Sequence, residues 1–149
     1  MILAKLDAQA SQMINVTLRQ LEEVFAYARE AAPDECCGLI GGDGENASSL
    51  YPMRNVATNA TVAYEAAPED LFAAQRQMRE RGEQLLAIYH SHPRAIEPQP
   101  SETDVRLAFY PQAIYFIIAL DGEHPVMRAF NISETEGRWE QVEYAITGE

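Results

Sequence analysis

The chain has 149 residues and a formal net charge of −12, from 11 basic and 23 acidic side chains. That length sustains one core, and 47% hydrophobic with 23% charged residues is a globular composition, which excludes disorder as the starting assumption. The acidic balance excludes the phosphate-neutralising surface that nucleic acid needs and disfavours an anionic membrane, and no apolar run reaches the length of a bilayer span. The opening "MILAKLDAQASQMINV" has one lysine and no apolar stretch before a small-residue cleavage site, so a cytoplasmic location is expected. The two cysteines, Cys36 and Cys37, are adjacent. Neighbours on a strand point to opposite faces, so no disulfide joins them, and no second Cys pair completes a Cys₄ site. Buried packing is their expected use.

A single domain over residues 1–149 is expected, because no repeat, low-complexity tract or linker divides the sequence. "QMINV" reads as a short strand, and Thr17 with Gln20 as a capping box. Leu18, Leu21, Val24, Phe25 and Ala28 recur at helical spacing until Pro33. "CCGLIGG" reads as a buried strand, "SSLYPMRNV" as a strand with an edge-type Pro52, and "ATVAYEA" as another strand. A second helix runs from Pro68, with Glu69 and Asp70 at its positive end, to Gly82. "LLAIY" is a strand, and a third helix starts near Ser101 and stops before Pro111. "AIYFIIAL" is apolar enough for the sheet centre, and "HPVMRAFNI" and "RWEQVEYAI" alternate as closing strands. His124 reads as a turn residue, Trp139 as packing on the sheet and Tyr89 as core. The sum is an α+β domain, α/β in the loose sense, with about three helices on one curved mixed sheet.

The chemistry concentrates in "AIYHSHPRAIEPQPSETDVRLAF". Residues two apart on a strand share a face, so His90 and His92 aim both imidazoles at one point while Ser91 faces away. Two imidazoles make an incomplete zinc site. Asp104, in the first turn of the next helix, can supply a third ligand and leave the open position a catalytic site requires. Prolines 93, 98 and 100 stiffen the loop that returns the chain. Amide hydrolysis also needs a carboxylate off the metal to take and deliver a proton, and Glu35, at a helix-to-strand junction, is the candidate. "SETD" is a good helix cap as well, so Ser101 has two readings that can hold together.

Taken together, "PDECCGLIGG", "YHSHP" and "SETD" resemble the JAMM/MPN+ metalloprotease family, over about residues 14–120. The resemblance implies a single MPN/JAMM domain with Zn²⁺ held by His90, His92 and Asp104. It implies Glu35 as general acid/base and Ser101 as the serine that helps stabilise an oxyanion. Eight residues, "PRAIEPQP", separate His92 from Ser101 where the family usually has seven. The implied activity is a zinc metallopeptidase or isopeptidase cutting after the Gly-Gly tail of a ubiquitin-like or sulfur-carrier protein, acting as monomer or homodimer. The compact chain is similar to prokaryotic members, which favours a β-grasp sulfur carrier extended by an amino acid such as cysteine. A non-catalytic MPN-type scaffold binding a ubiquitin-like partner is the alternative, although such domains typically lose ligands that are present here. A zinc deaminase fails for want of a Pro-Cys-x-x-Cys motif.

Overall fold

The computed structural model describes residues 13–148, so the opening segment lies outside the described residues as far as residue 12. The described residues form one eight-stranded mixed sheet. Its strands are β1 (Asn15–Thr17), β2 (Cys37–Asp43), β3 (Asn46–Met53), β4 (Gln84–His92), β5 (Ile114–Ala119), β6 (Val126–Ser133), β7 (Arg138–Val142) and β8 (Ala145–Thr147). Three helices accompany them: α1 (Leu18–Ala31), α2 (Pro68–Arg81) and α3 (Glu102–Arg106). The order across the sheet is β7-β6-β5-β4-β2-β3-β1-β8. Only Glu143 and Tyr144 separate β7 and β8, which lie at opposite edges, so the sheet curls until its edges approach each other. Tyr144 fastens the closure: its ring packs edge-on against Phe116 and its hydroxyl donates to the Met127 carbonyl at 2.7 Å.

Each helix begins where local chemistry permits. Thr17 Oγ1 accepts the Gln20 N–H at 3.1 Å and Gln20 Oε1 accepts the Thr17 N–H at 2.9 Å, which caps α1. Helix α2 starts on Pro68 with Glu69 and Asp70 in its first turn, and ends at Gly82, whose φ of 68° suits a residue without Cβ. The sheet buries both faces. Val16, Ile40, Tyr89, Phe116 and Ala129 pack on the α1 side; Leu39, Tyr51, Ile88, Tyr115, Ile117 and Phe130 pack on the α2 side. Strand β5 is buried almost throughout, as its apolar run requires. Tyr89 is fully buried, Trp139 packs edge-on against Phe130, and His124 is exposed. No helix among the described residues is long and apolar enough to cross a membrane.

Three expectations change. "ATVAYEA" is a loop whose one pairing is the bridge Asn55↔Ala66, because the Asn55 side chain takes up the backbone groups a ladder would have used. Helix α3 is short: Leu107, with ψ near 13°, leaves the helix well before Pro111. "RWEQVEYAI" divides into β7, which pairs with β6, and β8, which pairs in parallel with β1.

One connection matters most for the site. Strands β4 and β5 are parallel neighbours, paired from Ala87↔Ile114 to His92↔Ala119. Parallel neighbours need a crossover, and that crossover (residues 93–113) carries α3 back over the end of β4.

Candidate metal centre

His90 and His92 close β4 on the face they share with Ile88, toward α2 and α3. Their Nε2 atoms stand 3.1 Å apart. Asp104 Oδ2 lies 3.2 Å from His90 Nε2 and 3.0 Å from His92 Nε2. The helix cap sets that carboxylate. Ser101 Oγ accepts the Asp104 N–H at 3.0 Å, and the Ser101 N–H donates to Asp104 Oδ2 at 2.9 Å. The cap therefore fixes the Asp104 rotamer and leaves the Ser101 hydroxyl proton available as a donor.

Three ligand atoms this close together form a cluster that a cation would satisfy. However the imidazole protons are placed, at least one of the three contacts sets two donors or two acceptors against each other. A tetrahedral zinc with nitrogen and oxygen ligands at about 2.0–2.1 Å would separate them by roughly 3.3 Å, close to the observed spacing. Burial alone would raise the Asp104 carboxyl, but the two imidazoles and the Ser101 N–H hold it well below the usual carboxylate range. Burial works against charge on His92, yet Asp104 and then Glu35 lift its pKa above the ordinary value. Both shifts favour a carboxylate at Asp104 beside a positively charged neighbour.

Glu35 sits beside these atoms with 5% of its surface exposed, and its Oε1 is buried without a hydrogen-bond partner among the described residues. One carboxylate oxygen and one nitrogen of each histidine all lie within 4.8 Å of one another. Asp104 Oδ2 approaches both imidazole nitrogens to 3.0–3.2 Å, so the Asp104 and Glu35 carboxylates border the same pair of histidines. Burial pushes the Glu35 carboxyl up to about 7; the nearby His92 opposes this and Asp104 adds to it.

Sequence reasoning left out what holds Glu35. Its N–H donates to the Ala60 carbonyl at 2.8 Å, and Asn55 Nδ2 donates to its carbonyl at 3.0 Å. Asn55 also donates to the Ala63 carbonyl and accepts from the N–H groups of Ala57 and Glu65. Ser91, pointing away from the histidines, accepts the Cys36 N–H at 2.8 Å and returns its own N–H to the Cys36 carbonyl. Tyr64, from the loop Asn55 organises, stacks on His90 with ring centroids 4.6 Å apart. The available signal was an Asn two residues past the end of β3, a residue type that takes over backbone hydrogen bonding, though nothing local names its partner.

The long loop after His92 is also accounted for. Ala95 N–H donates to the His92 carbonyl, Asp121 N–H to the Ala95 carbonyl, and Arg128 pairs with Glu97 at 3.2 Å. Pro98 and Pro100 are buried. The eight-residue connection is taken up against the β5–β6 turn, and Ser101 and Asp104 still reach the histidines. Cys36 and Cys37 are free and buried on opposite faces, their thiols pushed up to about 11 and about 12 chiefly by burial.

Residues 17–133 match the family model described as prokaryotic homologs of the JAB domain. The chain is 32% identical over 118 residues to the desampylase of Haloferax volcanii, covering 75% of this chain and 84% of that protein. It is 36% identical over 103 residues to the CysO-cysteine peptidase of Mycobacterium tuberculosis, covering 68% and 69%. The solution structure of protein DSY2949 from Desulfitobacterium hafniense superposes with a TM-score of 0.80 at 36% identity, covering 92% of this chain and 94% of that one.

Proposed function

This chain belongs to the family of prokaryotic JAB-domain homologs, and on that premise we propose that it is a zinc metallopeptidase acting on ubiquitin-like or sulfur-carrier proteins. The observation that carries the reading is the convergence of His90 Nε2, His92 Nε2 and Asp104 Oδ2 at 3.0–3.2 Å, with a buried Glu35 carboxylate oxygen within 4.8 Å of the histidines. His90, His92 and Asp104 hold the ion. Bound zinc supplies Lewis-acid chemistry, polarising a carbonyl and bringing the pKa of water from about 15.7 to near 7.

The chain's own residues do the rest. Glu35 takes a proton from the attacking water and delivers it to the departing amine; burial raises its pKa, and a bound dication would draw it back toward the carboxylate that accepts the proton. The Ser101 hydroxyl, whose oxygen serves the helix cap, turns its proton toward the carbonyl oxygen as charge develops there. Asn55 and Ala60 bond the Glu35 backbone and Ser91 bonds that of Cys36, so the point from which the Glu35 side chain projects is set before substrate arrives.

The substrate follows from the relatives. One is a desampylase and another a CysO-cysteine peptidase, which supports cleavage at the C-terminal junction of a small carrier protein. The proposed target is an extended Gly-Gly tail, with glycine required where backbones pass closely. Free buried thiols fit work in the reducing cytoplasm. A scaffold role is disfavoured by the complete donor set.

The test is a β-grasp carrier ending Gly-Gly-X, followed by mass spectrometry, with wild type and Glu35→Gln at equal zinc content. Wild type should trim to Gly-Gly and the variant should lose about 10²–10⁴ in rate. Equal trimming by both, or none by the zinc-loaded wild type on any carrier, overturns the assignment.

A further inference from the structure

His90 is the most enclosed of the candidate ligands, its side chain 1% exposed, and its outer nitrogen Nδ1 has no hydrogen-bond partner among the described residues. That is unusual for a ligand. Metal-bound histidines almost always donate the second N–H to a carboxylate, carbonyl or water, which fixes tautomer and ring direction. In its place, Tyr64 lies over the His90 ring at 4.6 Å between centroids, with the planes 28° apart. His92 meets the same ring edge-on at 4.9 Å.

Tyr64 is itself held. Its loop is tied at both ends: Ala67 N–H donates to the Arg54 carbonyl at 2.9 Å, and the Arg54 guanidinium pairs with Asp70 at 3.0 Å on α2. Within it, Asn55 gathers the backbone groups of residues 57, 63 and 65, the last two flanking Tyr64. A loop this constrained presents a ring in one direction.

We propose that Tyr64 is a positioning residue for the metal: its stacked ring gives His90 the orientation that a hydrogen bond to the outer nitrogen gives elsewhere. The proposal rests on the zinc reading above. The stack also responds to the metal. When Nε2 shares its lone pair with a cation the imidazole becomes electron-poor, and an electron-rich phenol face attracts it more strongly. Tyr64 therefore strengthens metal binding beyond what it adds to the metal-free fold. The ring makes the contact, so phenylalanine should replace it and an aliphatic side chain should not.

The experiment measures zinc dissociation constants by competition with a chromophoric chelator for wild type, Tyr64→Phe and Tyr64→Leu, with urea midpoints of the metal-free proteins alongside. Tyr64→Leu should weaken zinc by about 10–100-fold, the range for loss of an orienting partner, and Tyr64→Phe should stay within about threefold. Unchanged zinc affinity in Tyr64→Leu, with or without a lower urea midpoint, overturns the proposal; so does a Tyr64→Phe loss as large as that of leucine. If Tyr64→Leu does not fold, NMR of wild type decides. The Tyr64 ring resonances, identified by their absence in Tyr64→Phe, should move when zinc is added, and unmoved resonances overturn the proposal. A wild type that takes up no zinc overturns the metal reading and this proposal with it.

Discussion

Replacing Glu35 with Gln in the metal-free protein probes the burial of the proton carrier without touching a ligand. Glu35 is 5% exposed, and burial is the main reason its pKa rises from 4.5 to about 7. A raised folded-state pKa means that folding favours the protonated acid. The stabilisation is complete below pH 4.5 and is lost as the pH rises through 7. At about 1.4 kcal/mol per unit the gap sets a ceiling near 3 kcal/mol, and with water reaching the mouth of the site on the order of 1–2 kcal/mol is expected. Urea unfolding in EDTA, in steps from pH 4.5 to 8.5, measures it. Wild type should lose that amount relative to Glu35→Gln across the window, and the difference should level off above it. Zinc should flatten the dependence, because a nearby dication favours the carboxylate. A wild-type-to-variant difference that stays constant with pH would refute the reasoning.

Ser101→Ala should lose about 1 kcal/mol of stability with the α3 cap and about 10²–10³ in kcat with KM little changed, read from urea midpoints and steady-state trimming. Asn55→Ala leaves the Glu35 and Ala63 carbonyls without their partner, so calorimetry should show about 2–3 kcal/mol of destabilisation and rate assays a fall in turnover at unchanged zinc content. Gly38→Ala would place a Cβ 2.2 Å from the end of the fully buried Tyr89 ring, so urea unfolding should show about 1–3 kcal/mol lost, or more if the strand cannot shift.

What the sequence made legible follows from period and local chemistry. The two-residue spacing of His90 and His92 implied one shared face, and strand β4 puts them there. The capping patterns at Thr17 and Ser101 depend on residues three apart, so both helix starts could be read. The apolar run of β5 announced a central strand. What stayed hidden depends on contacts distant in sequence. Nothing near residue 55 signals that its side chain will bond to Glu35, 20 residues earlier, and Ser91 reaches Cys36 across 55 residues. The loop at 60–66 alternates well enough for a strand, but alternation does not report that an Asn side chain has displaced the ladder. The passage from β7 to β8 depends on sheet closure, a global property with no local pattern.

The central claim is that His90, His92 and Asp104 hold zinc, and X-ray absorption at the zinc edge of the purified, zinc-loaded protein tests it most directly. The expected result is about one zinc per chain, nitrogen and oxygen neighbours at about 2.0–2.1 Å, and the outer-shell scattering of two imidazoles, all lost in the His90→Ala/His92→Ala double variant. Sulfur scattering at about 2.3 Å, or the same spectrum and stoichiometry in that variant, would contradict it by moving the metal to Cys36, Cys37 or elsewhere.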